Sequence, residues 1–179
     1  MRNGTQRKLV IVLDHKNWQE VRFHQDLVHG AGELLRFMLK RMSLPRESWT
    51  HTYCYHGEKR EIPSKKKERL TFLRDSLTSV NKFLIANRPC IIVGMGKLAC
   101  EHLTGHSVIK DKAGTCWETP DHGSVWITYA PDAALFDPVL CVSLYGVLFK
   151  AAERASINPV FNPNVLMFNW LPYLKGAKQ

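Results

Sequence analysis

Hydrophobic residues along this chain alternate between short unbroken runs and spaced helical stripes, and that alternation predicts the fold. Lys8-Leu9-Val10-Ile11-Val12-Leu13 is an apolar, β-branched run ending at Asp14, as expected of a buried strand. Residues 15–28 are mixed and polar and read as a loop. From about Gly32 to Met42, Leu34, Leu35, Met38, Leu39 and Met42 recur at helical spacing, and Pro45 stops the element. Trp49 to Tyr55, rich in threonine and aromatics, predicts a second strand. A basic loop over 58–67 leads into a helix reaching Asn87, with Ser64 as its expected N-cap and Leu70, Leu73, Leu77, Val80, Phe83 and Leu84 as its stripe. Cys90-Ile91-Ile92-Val93 predicts a third strand, and after Gly94-Met95-Gly96 a short helix closes at Gly105. Residues 106–123 read as a loop with room for a small hairpin, 125–129 as a fourth strand, 131–138 as a loop and 139–155 as a helix.

Strands and helices in strict alternation predict an α/β protein: a three-layer α/β/α sandwich around a central four-stranded, mostly parallel sheet. That domain is expected over residues 1–158. Residues 159–179 form an apolar, aromatic tail, including Phe161, Phe168, Trp170 and Tyr173, that packs on the domain or on a partner. In open α/β sheets ligands bind at the carboxyl ends of the strands. Here those ends are Asp14-His15, Tyr55-His56, Gly94-Met95-Gly96 and Tyr129-Ala130-Pro131.

Charge narrows the class of partner. The net charge is +9 with eight histidines uncounted, a balance that suits a polyanion such as nucleic acid and equally a merely basic, soluble surface. Arg60, Lys65, Lys66, Lys67 and Arg69 cluster around a helix start, where positive charge opposes the helix dipole; they read as a phosphate-facing patch or as a solvated face. No stretch is apolar and long enough to span a bilayer, and no signal region precedes the first strand, so membranes are not expected as partners. The expected location is cytoplasmic, in a bacterium or the cytosol of a virus-infected host. Five cysteines without a CxxC pair argue against a disulfide framework, and Cys90 and Cys100 read as buried thiols. The histidines show no zinc-type spacing, so no metal site is expected.

Three segments carry a more specific signal. They are Val28-His29-Gly30-Ala31-Gly32-Glu33-Leu34-Leu35, the strand–glycine–helix unit from Ile91 to Gly105, and Ile127-Thr128-Tyr129-Ala130-Pro131-Asp132-Ala133-Ala134-Leu135-Phe136-Asp137-Pro138. In this order they resemble the uracil-DNA glycosylase superfamily, especially its thermophile-type branch, over roughly residues 8–155. The first resembles the family's passage from base pocket to first long helix. The last resembles its DNA-inserting loop, which normally reads Thr-Tyr-His-Pro.

The resemblance implies DNA, single- or double-stranded, as the partner and base flipping as the mode of recognition. Phosphate contacts would fall to Gly94, Gly96, Lys97, Lys110, Lys112 and Gly114, and Pro131 would belong to the DNA-binding loop. Leu135 or Phe136 would wedge into the base stack, the alternative being that Leu135 packs in the core and Phe136 caps the next helix. In the base pocket, Leu27 stands where the family has a stacking phenylalanine, with Phe23 four residues out of register. Thr52 stands near the family's edge-reading asparagine. At the family's leaving-group histidine this chain has Ala130, and loss of such a donor typically slows reaction a hundredfold to a thousandfold, roughly. The first-strand motif is rewritten to Leu13-Asp14-His15-Lys16-Asn17, in which Asp14 could orient a water and His15 donate a proton, or both could be ordinary polar surface. The four cysteine ligands of the branch's iron–sulfur cluster find no match in spacing, and no cofactor is expected. These residues together point to a pseudoenzyme: a non-catalytic DNA-binding accessory of replication or repair, of the kind some viral superfamily members provide as partners of a replication protein such as a DNA polymerase. Two alternatives stay open. One is an active glycosylase for uracil or another modified base with a rebuilt site. The other is a protein-interaction or inhibitor module on the same fold.

Overall fold

The computed structural model describes residues 8–162. Its order is β1 (Leu9–Lys16), α1 (Trp18–Phe23), α2 (His29–Arg41), β2 (Trp49–Glu58), α3 (Lys66–Asn87), β3 (Ile91–Met95), α4 (Lys97–Thr104), β4 (Cys116–Thr119), β5 (Gly123–Thr128), α5 (Pro131–Phe136) and α6 (Pro138–Arg154). The strands form one sheet in the order β2-β1-β3-β5-β4. The first four of these are parallel, as expected, and β4 adds a short antiparallel edge through a hairpin with β5.

Two apolar layers hold the helices on the sheet. Leu9, Ile11, Leu13, Trp49 and Tyr53 point to one face and pack with α2, α5 and α6 around Leu34, Leu35, Met38, Leu144 and Leu148. Val10, Val12, Cys54, Ile92 and Ile127 point to the other and meet α3 and α4 through Val80, Leu84, Ala99 and Leu103. The period-2 alternation of the strands assigns each residue to its layer. The chain runs from β1 outward to β2, then crosses back to β3 on the other side of β1. Strand order reverses at β1, so the crevice expected of such a sheet opens beyond the carboxyl end of that strand.

Several local expectations are corrected. The polar segment 15–28 contains α1, fixed by a capping box: Asn17 Oδ1 accepts from Glu20 N–H, and Glu20 Oε2 accepts from Asn17 N–H. The 131–138 segment contains α5, started by Pro131 in its first turn, where a missing N–H is harmless. Ser64 is not the N-cap of α3; that place falls to Lys65, without a side-chain cap, and the Ser64 carbonyl accepts from Arg69 instead. Cys100 is buried, but Cys90 is exposed, because β3 begins one residue later and Cys90 lies in the loop beside Lys8. Of the tail, Val160 to Asn162 packs back on the domain, with Val160 N–H bonded to the Met42 carbonyl. Residues 163–179 lie outside the described residues. No described helix is long and apolar enough to cross a membrane.

Candidate functional site

At the carboxyl end of β1 a small cavity is lined by Leu13, Asp14, His15, Asn17, Glu20, Leu27, Tyr53, Ala130, Pro131 and Asp132, together with Ala31, Gly32 and Leu35 of α2. Its volume is about 20 Å³. A single water needs roughly 10–15 Å³ on that measure, whereas small-molecule pockets run to several hundred, so the cavity in this conformation admits about one water and no base. A larger cavity of about 620 Å³ lies on the flank between α2 and β2, lined by Asp26, Arg36, Arg46, Trp49 and His51 among others. The small cavity is the better candidate despite its size, because buried ionisable groups converge there at the point where strand order reverses.

Asp14 is the first of these groups. Its Oδ1 accepts from Ala99 N–H at 2.8 Å, and the Leu98 and Lys97 N–H groups also face the carboxyl. The start of α4, which offers free donors and the positive end of a dipole, is therefore occupied by the chain's own carboxyl group. Gly96 permits this arrangement twice over. Its φ of 105° suits glycine, and a Cβ there would lie 2.4 Å from Asp14 Cγ. Burial pushes the Asp14 carboxyl above its usual range, against the pull of those backbone donors and of the neighbouring His15.

Glu20 is only 3% exposed and accepts from Tyr53 Oη at 3.1 Å as well as from Asn17 N–H. Tyr53 Oη in turn accepts from Leu27 N–H at 3.3 Å. Burial raises Glu20, and burial followed by the charge of Glu20 raises Tyr53 far above its ordinary value, so the phenol stays protonated. Asp132, in the first turn of α5, is raised by burial and drawn down by His15 and Lys59. His15 acts electrostatically on both carboxyl groups, and its Nδ1 sits 3.1 Å from the Lys16 carbonyl.

The structure brings some expected residues together and separates others. Asp14, His15, Leu27 and Pro131 line the cavity with Ala130. Thr52 does not: it pairs with Val12 on the α3–α4 side of the sheet, and strand alternation places Tyr53 in the cavity instead. Phe23 is 51% exposed, carries Arg22 against its ring and lies outside the cavity wall. Leu135 is buried in the core, whereas Phe136 beside it is 62% exposed. Gly94 lies buried in β3, where a Cβ would meet Leu103 at 2.9 Å; its smallness serves the packing of α4. Lys97 and Lys110 are exposed, and Lys112 covers the Trp117 ring at 4.1 Å. Gly114 donates to the Ile127 carbonyl, which brings this turn to the carboxyl end of β5. Four cations of the basic cluster face carboxylates: Arg60 with Glu58, Lys65 with Glu68, and Lys66 and Arg69 with Glu101. Among the described residues no group of three or more His, Cys, Asp or Glu is placed to hold a metal.

Asn17, Glu20, Tyr53 and Asp132 are the site residues that sequence reading missed. The Asn-x-x-Glu capping signature was available for the first two, and the phase of the second strand for Tyr53. The sequence matches no protein-family model, and no curated protein matches it significantly.

Proposed function

We propose that this chain is a uracil-DNA glycosylase-like protein that holds DNA without excising bases, as a non-catalytic accessory in replication or repair. One observation carries the loss of catalysis: the strand-end cavity accommodates about one water, and its Asp14 and Glu20 are already bonded within the fold. Asp14 caps α4, Glu20 is tied to Tyr53 and Asn17, and the position of the superfamily's leaving-group imidazole is Ala130, which has no donor. Support for DNA as the partner comes from the net charge of +9, the resemblance of the three segments, and the exposed Lys59, Lys97 and Phe136 beyond the strand ends. A phenylalanine at that loop suits an apolar wedge between base steps.

The test is binding and base release on one set of duplexes carrying uracil, hydroxymethyluracil or hypoxanthine. The proposal expects binding that weakens steeply with salt and no alkali-labile sites. Alkali-labile product, or no binding at low salt, would overturn it.

A second reading has one observation in its favour. Asp132, raised by burial, and His15, whose charge acts on it, both line the cavity, an acid and an imidazole of the kind a rebuilt glycosylase would use for proton transfer. Base release abolished by Asp132→Asn would select this reading.

A further inference from the structure

The cavity of about 620 Å³ on the flank between α2 and β2 falls in the size range of small-molecule sites, roughly 300–1,000 Å³. It is set apart from the strand-end cavity: of the residues lining the two, only Leu27 is shared. One wall is α2. The other is the first half of β2, the edge strand of the sheet, whose alternation turns Trp49 and His51 to the same side.

The charges of this cleft are sorted along it. Arg36 and Lys40 follow one turn apart on α2, and Arg46, just before β2, stands over the Trp49 ring at 4.2 Å while donating to the Trp49 carbonyl at 3.0 Å. Among the described residues neither Arg36 nor Lys40 forms an ion pair. Glu33 lies one turn nearer the start of α2, and Asp26 lies before the helix, beside His51. From Glu33 to Lys40 is seven helical residues, about 10 Å.

His51 supplies the second observation. Its side chain is 12% exposed, and neither ring nitrogen forms a hydrogen bond among the described residues, although Nε2 lies 3.5 Å from Asp26 Oδ2. Burial holds this imidazole below its ordinary value, against the pull of Asp26, so at neutral pH it offers one N–H and one lone pair. Asp26 is itself paired with Lys16. A buried polar ring without a partner is costly, and a polar ligand edge in the cleft would satisfy it. At the cationic end a phosphate monoester would take charge-assisted bonds from the guanidinium and ammonium groups. Hydroxyl and amino groups at the other end would find acceptors in Glu33 and Asp26.

We propose that the α2–β2 cleft binds a nucleoside monophosphate, with its phosphate on Arg36 and Lys40 and its sugar and base edge toward Glu33, Asp26 and His51. The site is independent of the DNA-binding reading, since it uses neither the strand-end polar groups nor the loop after β5.

Titration calorimetry of the full chain with adenosine 5′-monophosphate, adenosine and inorganic phosphate tests this. The expected result is one site for the monophosphate, with adenosine and phosphate each at least about tenfold weaker, since each makes only half of the contacts. Arg36→Ala and Lys40→Ala, both at exposed side chains that leave the core untouched, should each raise Kd for the monophosphate by about tenfold or more. Lys82→Ala, an exposed cation on α3 in the opposite layer, should leave it unchanged. Absence of monophosphate binding would overturn the proposal. So would phosphate alone binding as tightly as the monophosphate, or equal weakening by Lys82→Ala, which would mark a general attraction of anions to a basic surface.

Discussion

Replacing Asp14 separates an anchoring role from a catalytic one. In the folded protein the Asp14 carboxyl accepts from Ala99 N–H at 2.8 Å and faces the Leu98 and Lys97 N–H groups at the start of α4. Asp14→Ala leaves those donors without a partner. Ala99 is fully buried, so its N–H has no water to turn to, whereas Lys97 is exposed and its N–H can be hydrated. One fully orphaned buried donor and the loss of a helix cap together cost about 3 kcal/mol. For a chain of this size that lowers Tm by about 6–12 °C. Asp14→Asn keeps an acceptor oxygen in place and removes a charge that burial disfavours, so its loss should stay near 1 kcal/mol. Thermal and urea unfolding followed by circular dichroism at neutral pH measure both. Equal stability for the alanine variant and the parent, or an asparagine variant as damaged as the alanine one, would refute the anchoring role.

Gly96→Ala should destabilise by about 2 kcal/mol or more, because it forces a Cβ against Asp14 Cγ at a left-handed φ; urea midpoints would show it. Tyr53→Phe removes the hydroxyl that donates to Glu20 and accepts from Leu27, and should cost about 1–3 kcal/mol by the same assay. His102, hydrogen-bonded to Asn81, is pushed down to about 4 by burial and by the charge of nearby His122. The unfolded chain takes up that proton first, near pH 6.5, so stability present above this value drains away as pH falls toward 4, by at most about 3 kcal/mol. Urea midpoints of the parent and of His102→Gln, taken between pH 4.5 and 7.5, should show the parent losing stability relative to the variant as pH falls. Asp14, Glu20 and Asp132, all raised by burial, act in the opposite sense and gain stability as pH falls through their range.

The architecture was legible because long apolar periods decide it. The runs at Leu9–Leu13 and Ile91–Val93 and the stripe of α2 each specify an element, and their alternation specifies the parallel sheet. The missed helices, α1 and α5, have six residues each, too short for a period to show; local capping chemistry at Asn17 and Pro131 forms them. The site was legible as a place more than as a set of side chains. Asp14, His15 and Leu27 line the cavity beyond β1, whereas Thr52, named from the resemblance, is one residue out of phase with Tyr53, which puts its side chain on the other side of the sheet. That Asp14 would fill the start of α4 depends on an approach across 85 residues of sequence, which no local pattern records.

Base release under single-turnover conditions, with protein in excess over a uracil-containing duplex, bears most directly on the reading of this cavity. Parent and Ala130→His should be measured side by side on the same bound complex. The account predicts that both hold the duplex and neither frees uracil, since an imidazole added to a cavity of about 20 Å³ still meets no base. Free uracil from the parent would contradict it outright, and free uracil from Ala130→His alone would show that the cavity opens on DNA and lacks only the donor.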